Sequence, residues 1–337
     1  MDILFYFKQN PEKYYEAERV WQDLCQTCAF LSTSLKRESS EEDYDMIHFV
    51  DVDSEMKVEE AIHKKAILVC SILYGENDYG SIMKYDAIGG YGLRKKAYRI
   101  LNKMDLILVP NDYAKVLLKS QGITSPILAI ANHINIDYFE GNKELNTMLF
   151  RRYYNVLRDT KVIVVSLSTH SDVGWKRAHR LAKKHPEYRF FYFGKPRYAY
   201  YNKKARNSMK KPYKNEIFCG IVDENLYMSA LLCASAFLSL EDQYSGSVSL
   251  SEAMAAHCPI VASEKGIQFS PWLSKQTACL FRNENDLEEE FLKAVGEEGA
   301  LRAEKAFQLV KEYSEKEESE QIKKAYEIVW QKGEKKK

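Results

Sequence analysis

A chain of 337 residues is long enough for two domains, since one domain usually takes about 100–200 residues. Its net charge of +1 excludes a general attraction to nucleic acid, so we expect no nucleic-acid partner. No apolar run approaches the ~18 residues that a membrane-spanning helix needs, and the first residues lack the basic segment of a signal peptide.

The cysteines predict a reducing environment. Their number, seven, is odd and their spacing is irregular, which does not indicate a disulfide framework. Cys25 and Cys28 form one CxxC pair, but no second pair completes a zinc site. We interpret them as buried thiols, with a metal or redox function as the alternative. A cytoplasmic protein is therefore expected.

The first half of the chain alternates short apolar strands with amphipathic helices. Strands are predicted at 3–7, 45–52, 66–72, 106–109 and 127–131. Helices are predicted at 11–31, 93–103 and 112–120. Residues 138–160 are polar and mixed, so we place the domain junction there.

The second half repeats this alternation. Strands are predicted at 162–167, 189–193, 216–219, 236–240 and 259–262. Helices are predicted at 175–184, 226–233, 248–256, 285–315 and 318–331. A charged tail, 332–337, follows.

Strands that alternate with helices predict an α/β protein with parallel sheets covered by helices on both faces. Because the pattern occurs twice, we expect two doubly wound, Rossmann-like domains that face each other across a cleft. The predicted domains are 1–145 and 146–317, and a helix and basic tail, 318–337, is expected to return to the first domain. Ligands of such sheets bind at the carboxyl ends of the strands.

A turn of small residues, 244–248, enters the predicted helix at 248–256. Backbone N–H groups at Gly246, Ser247 and Val248, together with the helix dipole, suit a diphosphate. Glu252 lies in the same helix, and its carboxylate can accept two hydrogen bonds from a ribose diol. The alternative for Glu252 is a solvated carboxylate on the helix face. The segment thus predicts half of a nucleotide site.

Residues 217–263 resemble the donor-site half of retaining family 4 glycosyltransferases of the GT-B type. Residues 251–255 (SEAMA) and 259–263 (PIVAS) match the family's Leu-Glu-Ala-Met-Ala and Pro-Val-Val-Ala-Ser. Residues 106–122 and 130–139 are similar to two of its upstream motifs. The resemblance implies a GT-B fold, a nucleotide-sugar donor, no metal cofactor, and ribose binding by Glu252.

The chain departs from the family at the sugar side of the site. Tyr244 stands where the family has the first Glu of its Glu-x7-Glu pair. Glu241, just upstream, is therefore a second candidate for contacting the sugar. Residues 69–72 occupy the zone where the family often has a His.

The family's Arg and Lys beside the leaving diphosphate are replaced by polar or apolar residues. Positive charge at that position is normally a large electrostatic contribution. Lys176, His170 and Lys195, which follows Gly194, are candidates to supply it. For each of them, and for the neighbouring Arg177, the alternative is an ordinary surface residue.

Two further segments leave two interpretations open. The basic helix at 93–103 either lies on an anionic membrane surface or is the solvated side of a packing helix. The glycine cluster at 74–92 is either an acceptor-side loop or a plain surface loop.

We therefore expect a retaining hexosyltransferase that moves a hexose from a UDP-sugar to a cell-envelope acceptor, such as a glycolipid or polysaccharide precursor. Its expected location is the cytoplasm, with peripheral contact at the inner face of the membrane. A soluble acceptor is an alternative. The other hypothesis, from a different class, is a catalytically degenerate partner or regulatory subunit, which would keep the fold without the lost Glu, Arg and Lys.

Overall fold

The computed structural model describes residues 2–6, 35–37, 44–50, 52, 55–73, 82–86, 90–141, 143–168, 171–194, 207, 209–242, 248–270, 272–313 and 315–334. The helix predicted at 11–31, with Cys25 and Cys28, lies outside these residues. So do five candidate site residues, which are His170, Lys195, Tyr244, Gly246 and Ser247.

The described strands and helices follow the alternation that the sequence predicts. The strands are β1 (Ile3–Tyr6), β2 (Leu35–Arg37), β3 (Met46–Phe49), β4 (Ile67–Ser71), β5 (Met83–Asp86), β6 (Gly90–Leu93), β7 (Leu106–Val109), β8 (Ile127–Ala129), β9 (Val162–Ser166), β10 (Arg189–Phe193), β11 (Glu216–Gly220), β12 (Ala234–Ser239), β13 (Ile260–Ser263) and β14 (Cys279–Phe281). The helices are α1 (Glu55–His63), α2 (Lys95–Leu101), α3 (Asp112–Ser120), α4 (Asp137–Glu140), α5 (Lys143–Tyr153), α6 (Val173–Lys184), α7 (Glu224–Cys233), α8 (Val248–Ala255), α9 (Leu287–Ala294), α10 (Glu297–Glu312) and α11 (Glu315–Glu334).

The described residues form two compact units. The first unit contains residues up to 133 together with 313–334, and the second contains 134–242 and 248–312. The segment 138–160, which we expected to be the junction, forms α4 and α5 and lies wholly in the second unit.

In the first unit a parallel sheet has the strand order β2-β1-β3-β4-β7-β8. Both of its faces are covered, because Leu4 lies in one apolar cluster while its neighbours Ile3 and Phe5 lie in another. This explains why the strands read as continuous apolar runs. The second cluster includes Tyr326 and Val329 of α11, so the prediction that the last helix returns to the first domain is confirmed.

In the second unit a parallel sheet has the order β11-β10-β9-β12-β13-β14. The chain builds outward from β9 through β10 to β11, and then restarts at β12 on the other side of β9. The strand order therefore reverses between β9 and β12. Open parallel sheets bind their ligands at such a switch point, beyond the carboxyl ends of the strands.

The basic helix predicted at 93–103 is shorter than expected and packs on the first unit. Leu93 ends β6, and the helix begins at Lys95. Its apolar side chains are buried in the core: Ala97, Ile100 and Leu101. Two of its cations pair with carboxylates of α1, Arg99 with Glu55 and Lys103 with Glu59. The structure therefore favours the interpretation as a packing helix, because its apolar residues are buried in the core of the unit. Contact of its exposed cations with a membrane stays a prediction.

Part of the glycine cluster at 74–92 forms an antiparallel hairpin of β5 and β6, which the sequence analysis took for a loop. No helix in the described part of the chain is long and apolar enough to cross a membrane.

Candidate functional site

The switch point of the second unit carries two acidic residues at the end of β12. Ser239 ends β12 and is followed by Leu240, Glu241 and Asp242, while β9 ends beside it at Ser166. Helix α6 begins at this edge of the sheet with Val173. The side chains that leave β12 therefore meet the amino end of α6.

Glu241 caps α6. Its carboxylate accepts a hydrogen bond from the Ser171 hydroxyl at 2.6 Å and another from the backbone N–H of Gly174 at 2.8 Å. The residue at the usual capping position, Asp172, makes no capping bond. Since the amino end of a helix carries partial positive charge, it stabilises the ionised carboxylate. The candidate sugar-contacting residue is thus held at the switch point.

Gly174 makes this approach possible. A Cβ at this position would lie 2.6 Å from the Glu241 Oε1 atom, which is closer than real contacts allow. Any larger residue would displace the carboxylate. Gly174 was not predicted as a site residue, although glycine is often found where another group approaches the backbone closely.

Asp242 anchors the same loop on the other side. Arg177 donates from Nη1 to the Asp242 carboxylate at 2.8 Å and to the Leu240 carbonyl at 2.6 Å. Burial acts to raise the pKa of Asp242, but hydrogen bonds from Arg177, Ser263 and Lys265 bring it below its usual value. Asp242 is consequently ionised at neutral pH.

Arg177 is not the surface residue that the sequence allowed. Its side chain is buried, and its Nε also donates to the Glu284 carboxylate at 2.7 Å. Two carboxylates and a carbonyl use its fork of donors, a geometry for which guanidinium is suited. Arg177 therefore stabilises the loop after β12.

Lys176 points into solvent. Its side chain is about half exposed, and its Nζ pairs with the Asp172 carboxylate at 2.7 Å. Exposed pairs one helical turn apart are worth only about 0.3–0.5 kcal/mol, so the pair could open to an anionic ligand at little cost. Its predicted function beside the leaving phosphate stays a prediction.

Gly194 stands at the end of β10, the other neighbour of β9. Its φ of +108° and a Cβ position only 2.9 Å from the Leu167 carbonyl both require glycine. Gly194 thus allows the chain to turn sharply where it leaves β10, at the edge of the sheet where ligands bind. Its contact with a nucleotide sugar stays a prediction.

Glu252 lies in α8 and is completely buried, with 0% exposure. The alternative of a solvated carboxylate on the helix face is therefore wrong. A buried carboxylate costs several kcal/mol unless it is held by partners. The predicted contact of Glu252 with a ribose stays a prediction. Val248, at the start of the same helix, is also buried.

In the first unit, a small pocket of about 30 Å³ opens at the carboxyl ends of β4, β7 and β8. Most of its lining is apolar, from residues such as Ile72, Pro110 and Ile322. Three polar residues face it: Ser71, Asn132 and Glu318. The pocket is small, but an apolar lining with a few polar groups is the chemical pattern found at binding sites for organic molecules.

Ser71 is the end of a hydrogen-bonded chain. His48 of β3 is completely buried, and burial lowers its pKa to about 3, so the ring is neutral. Its Nε2 lies 2.8 Å from the Ser71 hydroxyl and its Nδ1 lies 2.6 Å from the Tyr326 hydroxyl. A neutral imidazole donates with one nitrogen and accepts with the other, so it orients the serine hydroxyl at the pocket.

Glu318 is held at the start of α11. Its Oε2 accepts the backbone N–H of His133 at 3.0 Å and contacts the buried His133 ring. The Tyr313 hydroxyl donates to the Ala131 carbonyl at 2.8 Å. Sequence reasoning missed Ser71, His48, Asn132 and Glu318 as site residues, because partners 185 and 278 positions apart leave no local signal.

Within the described ranges, no group of three His, Cys, Asp or Glu residues is placed to bind a metal ion. That the reaction needs no metal is an expectation from the family resemblance and stays a prediction.

No protein-family model matches the sequence, and no curated protein matches it. Solved structures match nearly the whole chain. HepE of Anabaena, in complex with UDP and glucose, superposes with a TM-score of 0.76 at 12% identity over 97% of this chain and 100% of that one. Sucrose-phosphate synthase of Thermosynechococcus elongatus gives a TM-score of 0.74 at 12% identity over 98% and 99% of the two chains.

A third structure, WaaG, a glycosyltransferase involved in lipopolysaccharide biosynthesis, has a TM-score of 0.64 at 14% identity over 97% of this chain and 99% of WaaG. At such identities the likeness concerns architecture. The predicted fold class is confirmed: this chain has the GT-B fold of glycosyltransferases.

Proposed function

We propose that this protein is a glycosyltransferase that moves a hexose from a UDP-sugar to a cell-envelope acceptor. The observation that carries the proposal is the fully buried Glu252 in the helix that follows β12, at the switch point of a GT-B sheet. A carboxylate in that position is suited to bind the hydroxyls of a ribose.

The donor side of the proposal assigns the predicted residues to parts of the nucleotide sugar. Glu252 binds the ribose, and Gly246, Ser247, Val248 and Gly194 lie along the diphosphate. HepE has been crystallised with UDP and with UDP-glucose, which supports uracil as the base of the donor nucleotide. Transfer with retention, as in family 4, follows from the resemblance of residues 217–263.

Two sets of side chains act on the sugar and on the leaving group in this proposal. Glu241 and Tyr244 contact the sugar, and Glu241 is already placed at the switch point. Lys176, His170 and Lys195 offer positive charge to the departing diphosphate.

The acceptor side of the proposal uses the pocket at Ser71. A hydroxyl oriented by a buried imidazole can hydrogen-bond an acceptor hydroxyl, and the apolar lining suits an acceptor with an apolar portion. WaaG acts in lipopolysaccharide biosynthesis, which supports a glycolipid or polysaccharide precursor as the acceptor class.

The test is a screen of UDP- and GDP-hexoses for release of the nucleotide, with and without an envelope lipid extract. We expect release from one UDP-hexose that rises when the extract is added. Release from GDP-sugars alone would contradict the choice of base. No release from any donor would contradict the proposed activity.

A second function is favoured by one observation. The carboxylate of Glu241 occupies the amino end of α6, a position suited to a phosphate, and Lys176 and Arg177 are both paired with acids. An acidic switch point of this kind fits a degenerate partner subunit that has lost transfer activity. Millimolar UDP should then leave the melting temperature unchanged.

A further inference from the structure

The outer face of α5, in the second unit, is apolar where a surface helix is normally polar. Successive residues turn by about 100° around a helix, so four apolar side chains share one continuous face. This apolar stripe consists of Leu145, Met148, Leu149 and Tyr153, with exposed fractions of 47%, 55%, 48% and 70%.

The inner face of α5 holds the helix to the protein. Phe150 is completely buried and packs on Phe191 and Tyr154, with ring centroids 5.0 Å apart in each case. The helix is thus fixed by one side, and the apolar stripe is a stable feature of the surface.

The stripe continues past the end of the helix. Leu157 is 75% exposed, and Arg151 donates to the Leu157 carbonyl at 2.6 Å and to the Thr160 carbonyl at 3.0 Å. These two bonds keep the following loop beside the helix. Five large apolar side chains therefore form one small exposed patch.

Basic residues accompany the patch. Arg152 lies within the apolar stripe, and Lys143 and Arg158 lie near its two ends, all three exposed. The segment 143–160 contains four basic and two acidic residues. Its surface therefore combines apolar insertion with net positive charge.

We propose that the apolar stripe of α5 docks the protein on an anionic lipid surface. A helix that lies in the membrane interface places Leu, Met and Tyr side chains below the headgroups and its cations at their level. Basic residues next to such a surface each add to the attraction of acidic lipids. Helix α2 offers no comparable stripe, because its aliphatic side chains are buried in the first unit.

A second copy of the chain is a less suitable partner for the apolar stripe than a lipid surface. It would enclose two Arg152 guanidinium groups in one apolar contact, which is costly for charged groups. An 11-residue helix is about 16 Å long, so its face covers on the order of 200 Å², far below the ~800 Å² that each partner of a stable dimer buries.

The inference is independent of the donor chemistry. Binding to lipid would stand even if no UDP-sugar were a substrate, and glycosyl transfer would stand if the protein never touched a membrane.

The experiment is sedimentation of the full-length protein with vesicles of phosphatidylcholine, either alone or mixed with phosphatidylglycerol. We expect sedimentation with the anionic vesicles only, and its decrease at high salt. A Leu145→Ser/Leu149→Ser double variant should bind at least roughly tenfold less. The matched control is Leu301→Ser, since Leu301 is 68% exposed on α10 of the same unit.

A charge reversal provides the second variant. Arg152→Glu should weaken the binding about tenfold, whereas Lys305→Glu, which makes the same change on the exposed face of α10, should not. Melting temperatures of all variants should match the wild type, because the substituted side chains are exposed.

Three outcomes would overturn the inference. One is equal sedimentation of the wild type with neutral and anionic vesicles, or with neither. Another is a double variant that binds as the wild type does. The third is a dimer in sedimentation velocity that the double variant abolishes, which would assign the apolar stripe to a second copy.

Discussion

Glu241 is the residue on which the geometry of the second unit's switch point depends. Its carboxylate replaces the missing cap of α6, and Gly174 leaves it just enough room. The cap therefore fixes the position of this carboxylate at the switch point, and a residue larger than glycine at position 174 would move it.

The first prediction concerns Gly174→Ala. The added methyl group must displace the flexible end of Glu241, so turnover should fall by about one to two orders of magnitude. Loss of a cap costs about 1 kcal/mol, so the fold should persist. The measurement is nucleotide release alongside a melting curve. Gly296→Ala is the control, since its Cβ would have only ordinary contacts. Full activity in Gly174→Ala would show that Glu241 need not occupy this position.

The second prediction concerns pH and His48. Burial holds the pKa of His48 at about 3 in the folded protein, below the usual histidine value of 6.5. The folded state therefore favours the neutral ring, and the stability that this gives is complete above pH 6.5 and is lost as the pH falls toward 3. Between pH 7 and pH 4 the loss should be about 3 kcal/mol.

Urea unfolding at several pH values checks this in the wild type and in His48→Gln, which lacks the titrating group. The free energy of unfolding of the variant should depend less steeply on pH over that range. Parallel curves for the two proteins would refute the assignment of the loss to His48.

At the scale of elements, α11 closes the first unit although it comes from the end of the chain. Tyr326 is 1% exposed within the cluster that includes Ile3 and Phe5, and its hydroxyl bonds the His48 ring. The helix thus provides both apolar cover and the polar partner that orients Ser71 through His48.

The third prediction separates these two contributions. Tyr326→Ala should lower the free energy of unfolding by about 3–5 kcal/mol, because it removes a large buried side chain. Tyr326→Phe keeps the ring but leaves the His48 Nδ1 without that hydroxyl, at a cost of about 1–3 kcal/mol. Ile328→Ala, at an exposed position of the same helix, should cost little. Denaturant unfolding measures all three. Equal losses for the Ala and Phe variants would contradict the importance of the apolar contacts.

Local sequence predicted the buried strands and most helices, but it missed α1 and α5, which have nine and eleven residues, and some of the shortest strands. In β9, for example, the three valines and the isoleucine are all buried, so the strand is visible in the sequence as a continuous apolar run. Strands β2 and β14 have only three residues each and escaped notice. The hairpin β5–β6 was hidden by glycines and tyrosines that read as a loop.

At the scale of the whole molecule, the fold could be predicted because the alternation of strands and helices restricts the topology strongly. The site could be predicted only in part. The motif identified Glu252 as a candidate. Its complete burial could not be predicted, because a Glu on a helix face is ordinarily solvated. The pocket at Ser71 needs His48 of β3 together with Glu318 and Tyr326 of α11, more than 200 positions away in the chain. No local pattern brings them together.

The central claim is that Glu252 belongs to a nucleotide site. Its most direct test is titration calorimetry of UDP against the wild type, Glu252→Gln, and Glu312→Gln as a control on the exposed end of α10. Two ribose hydrogen bonds to a charged group, at about 1.5–3 kcal/mol each, predict that Glu252→Gln binds UDP at least about a hundredfold more weakly. The Glu312 variant should match the wild type. A wild type that does not bind UDP, or a folded Glu252→Gln variant that binds it as well as the wild type, would contradict the account.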